Sequence, residues 1–248
     1  MAGHSKWKNI AHRKGKQDAS RGQLFTKLCR DVYAAARRGG SNPDTNYQLK
    51  IALEKAREAS VPSDTLARTL AKASGTLEGM QFEDFLYEGY GPGGIAIMLE
   101  LSSSNRNRTA AEIRHLFSKH GGSLGESGCV AWMFKRVGAI TVSQLSLSAD
   151  DFMLLSLESG AEDVTHDAET LEYTVYTAPD ELMTVAQELR QADIAVDGMT
   201  LLYVPTTLAT VPVEEEERVA TLLSLLEEHD DVQSLYTNAD FAISDSPQ

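Results

Sequence analysis

The chain has 248 residues, a net charge of −13, 42% hydrophobic residues and 24% charged residues, which fits two or three soluble globular domains with cores of their own. Its two cysteines, Cys29 and Cys129, lie far apart in largely apolar contexts; they read as small free thiols of a reducing compartment and exclude a disulfide-stapled scaffold. No apolar run approaches 18 residues and the start has no apolar signal core, so the expectation is a cytoplasmic protein without membrane contact.

Charge is divided by position. Residues 1–40 hold ten Lys and Arg against Asp18 and Asp31, a net of +8 in a chain that totals −13. Residues 1–75 carry 15 basic and 6 acidic residues, net +9, and residues 76–248 carry 8 and 30, net −22. A basic segment tied to an acidic body is the footprint of a protein that meets a polyanion.

Residues 1–18 mix Lys6, Lys8, Arg13, Lys14 and Lys16 with His4, Trp7 and His12, and their few apolar residues build no helix face. The expectation is a mobile or extended arm that orders on a nucleic acid, its cations on phosphates and its rings on bases. A helix follows from about residue 20. Leu24, Phe25, Leu28, Val32 and Ala36 share one arc, whereas Lys27, Arg30, Arg37 and Arg38 lie opposite, and Gly39-Gly40 ends it. With Arg21 these cations extend the candidate nucleic-acid surface, although Arg37 and Arg38 also suit a helix C-terminus on dipole grounds alone. Asn42-Pro43-Asp44 turns the chain into a second helix, to about residue 59, and Val61-Pro62 breaks it. Ser63 or a neighbour caps a third, ended by Gly75. A small helical bundle results.

The pattern then becomes mixed. Strands are expected at 82–88, 95–101 and 129–134, with a helix over 106–120 and a glycine-rich loop over 121–128 that reads as a hairpin-like connection mobile enough to serve as a contact. Residues 139–204 follow β-α-β-β-α-β, the ferredoxin-like order. A helix over 213–228 and a strand over 232–236 cannot form a core by themselves and complete the unit of residues 80–134. The fold class is therefore α+β: an N-terminal three-helix bundle plus two α/β domains, ferredoxin-like or related, the third inserted in the second. The expected boundaries are 1–78, 79–135 with 205–248, and 136–204.

Chemistry is sparse. His4, His12, His115, His120, His166 and His229 form no HExxH, neither cysteine has a CxxC partner, and there is no GxSxG or GxxxxGK[ST]. The reading assigns no catalytic residue, no metal and no cofactor. Asn105-Arg106-Asn107-Arg108 opens a helix with backbone N–H groups, two guanidinium groups and amides. It suits a phosphate or an internal carboxylate.

The opening MAGHSKWKNIAHRKGKQDASRGQLFTKL resembles that of the YebC family, which includes bacterial YebC proteins and the mitochondrial translational activator of cytochrome c oxidase. The likeness continues through YEGYGPGGIAIMLE, SSNRNRTAAEIRHLFSKHGG, GESGCVAWMF, SGAEDV and DDVQSLYTN, essentially the whole chain. It implies a helical domain and two α/β domains, one split by the other. It also implies either a DNA-binding transcriptional regulator or a ribosome-associated factor that relieves stalls at proline-rich stretches. The leading expectation is a non-enzymatic translation factor whose arm and first helix dock on ribosomal RNA or tRNA. The alternative is a DNA-binding transcriptional regulator, against which stands the lack of helix-turn-helix spacing. An enzyme using a cleft between the acidic domains comes last.

Overall fold

The structure, a computed structural model, describes residues 21–75, 82–145, 147–167 and 170–241. The described residues contain seven α-helices, and they divide into two compact units, residues 134–204 and the remainder.

In the larger unit, α1 (Arg21–Gly39), α2 (Tyr47–Glu58) and α3 (Ser63–Ala73) form the helical bundle. Val32, Tyr33, Ala35 and Ala36 of α1 bury against Leu49, Leu53 and Ala56 of α2 and Leu66 of α3. Gly40, at φ +86°, ends α1, its N–H bonding the Ala36 carbonyl; glycine takes this left-handed position without a Cβ clash. Buried Asn46 joins two helix ends: its side chain accepts from Leu49 N at the start of α2 and donates to the Ala35 and Gly40 carbonyls, both at 2.8 Å. One amide thus satisfies orphan groups at both termini. No side chain caps α3; Pro62 occupies its N-cap position and Ser63 is its first residue.

The same unit contains a four-stranded sheet in the order β3-β1-β2-β9, made of β1 (Glu83–Tyr90), β2 (Ala96–Ser103), β3 (Ser123–Leu124) and β9 (Val232–Thr237). Strand β9 pairs antiparallel with β2, Leu99 opposite Leu235 and Ile97 opposite Thr237. Strand β2 is central and buried along nearly its whole length, apolar from Ala96 to Leu99 and again at Leu101. Ile97, Leu99 and Leu101 pack with Ile113 and Phe117 of α4 (Arg106–Lys119) and Leu222, Leu223 and Leu226 of α7 (Glu216–Glu228). Short strands β8 (Ala209–Thr210) and β10 (Ala239–Asp240) pair in parallel. Asn238 between them accepts from Ala96 N at 2.7 Å and secures the closing segment to β2.

The smaller unit comprises β4 (Phe134–Val142), α5 (Ala149–Glu158), β5 (Asp163–Asp167), β6 (Glu172–Thr177), α6 (Leu182–Gln191) and β7 (Gly198–Pro205). Its sheet order β5-β6-β4-β7 is that of a ferredoxin-like βαββαβ fold. Phe152, Val175, Val185 and Leu189 are fully buried here. The protein is thus α+β, with a helical bundle and two α/β parts, the second interrupting the first.

One strand differs from expectation. Residues 129–133 are not extended: a 3₁₀ turn covers Ala131–Met133, and β4 begins at Phe134. The reason is a competing acceptor. The Val130 and Ala131 N–H groups bond the Glu88 carboxylate instead of a neighbouring strand.

Candidate nucleic-acid interface

Of the cations expected to meet nucleic acid, Lys6, Lys8, Arg13, Lys14 and Lys16, with His4, Trp7 and His12, lie outside the described residues. So does the mobile-arm reading. Arg21 starts α1. Arg37 and Arg38 are exposed in its last turn, where cations complement the helix dipole. Arg38 also reaches Asp84 Oδ2 at 3.0 Å, an exposed pair that leaves the guanidinium largely in solvent.

Lys27 and Arg30 sit differently. Arg30 Nη2 is 2.9 Å from Asp231 Oδ1, with the two side chains 12% and 1% exposed. Its guanidinium also lies over the Phe82 ring, 5.7 Å from the centroid. Arg30 is therefore engaged within the chain, away from the open surface on which the helical wheel had placed it. Lys27 is half-buried; burial lowers its ammonium pKa, while Glu227, Asp230, Asp31 and Glu228 act in the opposite sense. A wheel treats every non-apolar arc as solvent, but here the segment leading into β9 covers part of that arc.

Asp231 gathers groups from three elements. Arg108 Nη2 donates to Oδ2 at 3.0 Å and Thr109 Oγ1 donates to it at 2.6 Å, while Arg30 approaches the other oxygen. Burial by itself raises the carboxyl pKa. Hydrogen bonds from Thr109, Arg108 and Ser103 and the Arg30 charge more than offset this, so the carboxyl is held below its usual range. Next to it, His229 Nδ1 accepts from Asp231 N at 3.1 Å, which assigns the proton to Nε2, 3.1 Å from Glu112 Oε2.

The Asn105–Arg108 motif feeds into this network. Asn105 caps α4 by accepting from Arg108 N, Arg106 stacks over Phe85 at 5.1 Å, and Arg108 takes the internal carboxylate of Asp231. Asn107 is exposed.

The glycine-rich loop is held firmly at its far end. Glu88, 5% exposed, accepts from Gly128 N at 2.6 Å, Val130 N at 2.8 Å and Ala131 N at 2.7 Å. Three N–H donors satisfy one buried carboxylate. Gly125 N bonds the Glu88 carbonyl, and a Cβ at Gly125 would collide with Cys129 Sγ. Cys29 and Cys129 are free thiols, and burial first, then the Glu88 charge, pushes the Cys129 pKa up. The loop, expected as a hairpin-like connection, is anchored by these bonds and by the pairing of β3 with β1.

Sequence reasoning gave no role to Asp231 or Glu88. Each sits in a segment rich in other acids, and each acquires its function from partners far away in the chain. Among the described residues no group of three or more His, Cys, Asp or Glu is arranged for a metal ion, and no helix is long and apolar enough to cross a membrane.

A basic helical bundle is thus tied through Asp231 to an acidic split sheet, which a ferredoxin-like insertion interrupts. Two family models match the chain: "TACO1/YebC protein N-terminal domain" over residues 5–76 and "TACO1/YebC second and third domain" over residues 82–239. The chain belongs to the TACO1/YebC family. A probable transcriptional regulatory protein of Symbiobacterium thermophilum is 47% identical over 239 residues, covering 96% of this chain and 98% of that protein. One of Desulfitobacterium hafniense is 47% identical over 247 residues, covering 98% and 97%. A crystal structure of a conserved hypothetical protein from Aquifex aeolicus is similar with a TM-score of 0.80 at 39% identity, covering 95% of this chain and 96% of that one.

Proposed function

We propose that the protein is a non-enzymatic, cytoplasmic regulatory factor that binds nucleic acid through its N-terminal basic region. The observation that carries this reading is the charge division, +9 over residues 1–75 against −22 over residues 76–248. Only the first of these can lie along a phosphate backbone; the acidic remainder is repelled from it. The names of the relatives support DNA as the target and transcription as the regulated process. A second reading, a translation factor on ribosomal RNA or tRNA relieving stalls at proline-rich stretches, is favoured by the engagement of Arg30 and the half-burial of Lys27. A DNA recognition helix needs a free polar face, and α1 has given part of its own to Asp231.

Crosslinking in living cells followed by sequencing of the bound nucleic acid separates the two. Discrete promoter peaks establish the transcriptional reading, and concentration on large-subunit ribosomal RNA and tRNA establishes the translational one. In vitro, joint replacement of Lys6, Lys8, Arg13, Lys14 and Lys16 by Ala weakens binding and flattens its salt dependence, by roughly 0.9 in slope for each lost B-DNA phosphate contact and roughly 0.7 for single strands. Unchanged affinity and slope would remove the arm from the interface.

A further inference from the structure

Trp132 is 73% exposed, yet it is not a loose surface side chain. The residues before it are fixed by Glu88 through the N–H groups of Gly128, Val130 and Ala131. Val130 and Phe134, on either side of it, are buried. The Cys129 carbonyl accepts from Tyr90 Oη at 2.8 Å and from the indole Nε1 of Trp132 at 3.1 Å. The ring is thus held to its own loop by its polar edge. Its only N–H is already donated, so what it presents to the outside is apolar π surface.

We infer that Trp132 is a preformed stacking platform for an unpaired nucleobase, a second contact that rests on the nucleic-acid reading above. Three observations select this occupant. A flat ring without a free donor recognises another flat ring, and every base offers one whatever its sequence. The other exposed residues between β3 and β4 are Gly125, Glu126, Ser127, Gly128 and Ala131; they form no apolar collar of the kind that seals a protein hot spot. Exposed Glu126 repels phosphate, so the base reaches the ring while its backbone stays at a distance. A splayed single strand can do this and a stacked duplex cannot.

The chain has two tryptophans, Trp7 and Trp132, so Trp7→Phe makes indole fluorescence a report on Trp132 alone. The full-length Trp7→Phe protein is titrated with a dye-labelled mixed-sequence single-stranded oligonucleotide and with the matching blunt duplex, following dye anisotropy for binding and indole emission for stacking. The single strand quenches Trp132 saturably and the duplex does not. Trp132→Ala weakens single-strand binding about 5- to 150-fold, as loss of one base–aromatic stack requires, and leaves the protein folded with a small shift of the thermal unfolding midpoint, because the change removes one exposed hydrogen bond and no buried packing. Binding by anisotropy with unchanged indole emission and unchanged affinity of Trp132→Ala overturns this inference while the nucleic-acid reading stands. Equal quenching by the duplex overturns the requirement for an unpaired base. Absence of binding by both oligonucleotides to the Trp7→Phe and the wild-type protein overturns both readings.

Discussion

Asp231 is the residue on which the larger unit closes. It holds Arg30 of α1 and Arg108 and Thr109 of α4 at a position 1% exposed. Asp231→Ala leaves Arg30 charged and largely out of water, so a loss of about 3–5 kcal/mol is expected in urea unfolding, the usual cost of breaking one side of a buried pair. The pH dependence has a definite sign. The folded-state pKa of Asp231 is depressed, so its contribution is complete above the unfolded aspartate value and is lost as pH falls through the lower folded value. The stability gap between wild type and Asp231→Asn is therefore widest at neutral pH and narrows on acidification through the aspartate range. A gap constant over that range would mean that the carboxylate charge is not what holds the site. The composition of this site was illegible in the sequence, because Asp230-Asp231 looks like any solvated acidic pair. Arg108 was legible to the extent of its two possible partners, a phosphate or an internal carboxylate.

At the scale of elements, the strong periodicities were readable: helices α1 to α4 and strands β1 and β2 stand where apolar spacing and glycine or proline punctuation put them, with small shifts at their ends. The exception, residues 129–133, shows what spacing cannot report. Val130, Trp132 and Phe134 alternate like a strand, but a carboxylate on another strand takes the backbone donors first. Glu88→Gln turns one acceptor oxygen into an NH₂ group facing backbone N–H donors. It is expected to cost about 1–3 kcal/mol through unsatisfied buried groups and to raise the rotational freedom of Trp132. Time-resolved fluorescence anisotropy in the Trp7→Phe background reads the latter. An unchanged anisotropy decay would show that the loop is rigid without Glu88. Asn46 teaches the same lesson: an asparagine near a turn is unremarkable, and its junction of two helix ends needs α1 to be present.

Across the whole molecule, the legible feature was the interruption of one α/β part by another, since a lone final helix and strand needed partners and β2 supplies them. How the two ends of the interruption meet is visible only in the structure. Thr206 N and Thr206 Oγ1 both donate to the Met133 carbonyl, at 2.9 and 3.0 Å. With those two residues in direct contact, replacing residues 134–204 by a short Gly-Ser linker closes a gap that is already closed, at little entropic cost. The shortened protein is expected to unfold cooperatively on heating with the helical and sheet signals of its remaining elements in circular dichroism; a broad, non-cooperative melt would show that the larger unit depends on the insertion.

The position of β9 in the centre of this economy has a further consequence for a chain made from one end to the other. During synthesis the bundle and β2 emerge long before β9, so Arg30 waits without its carboxylate and β2, with its largely apolar residues, waits with an open edge. A nascent chain arrested before Val232 would therefore expose a sticky strand that the finished protein conceals. A segment translated late thus acts as the seal on segments translated early.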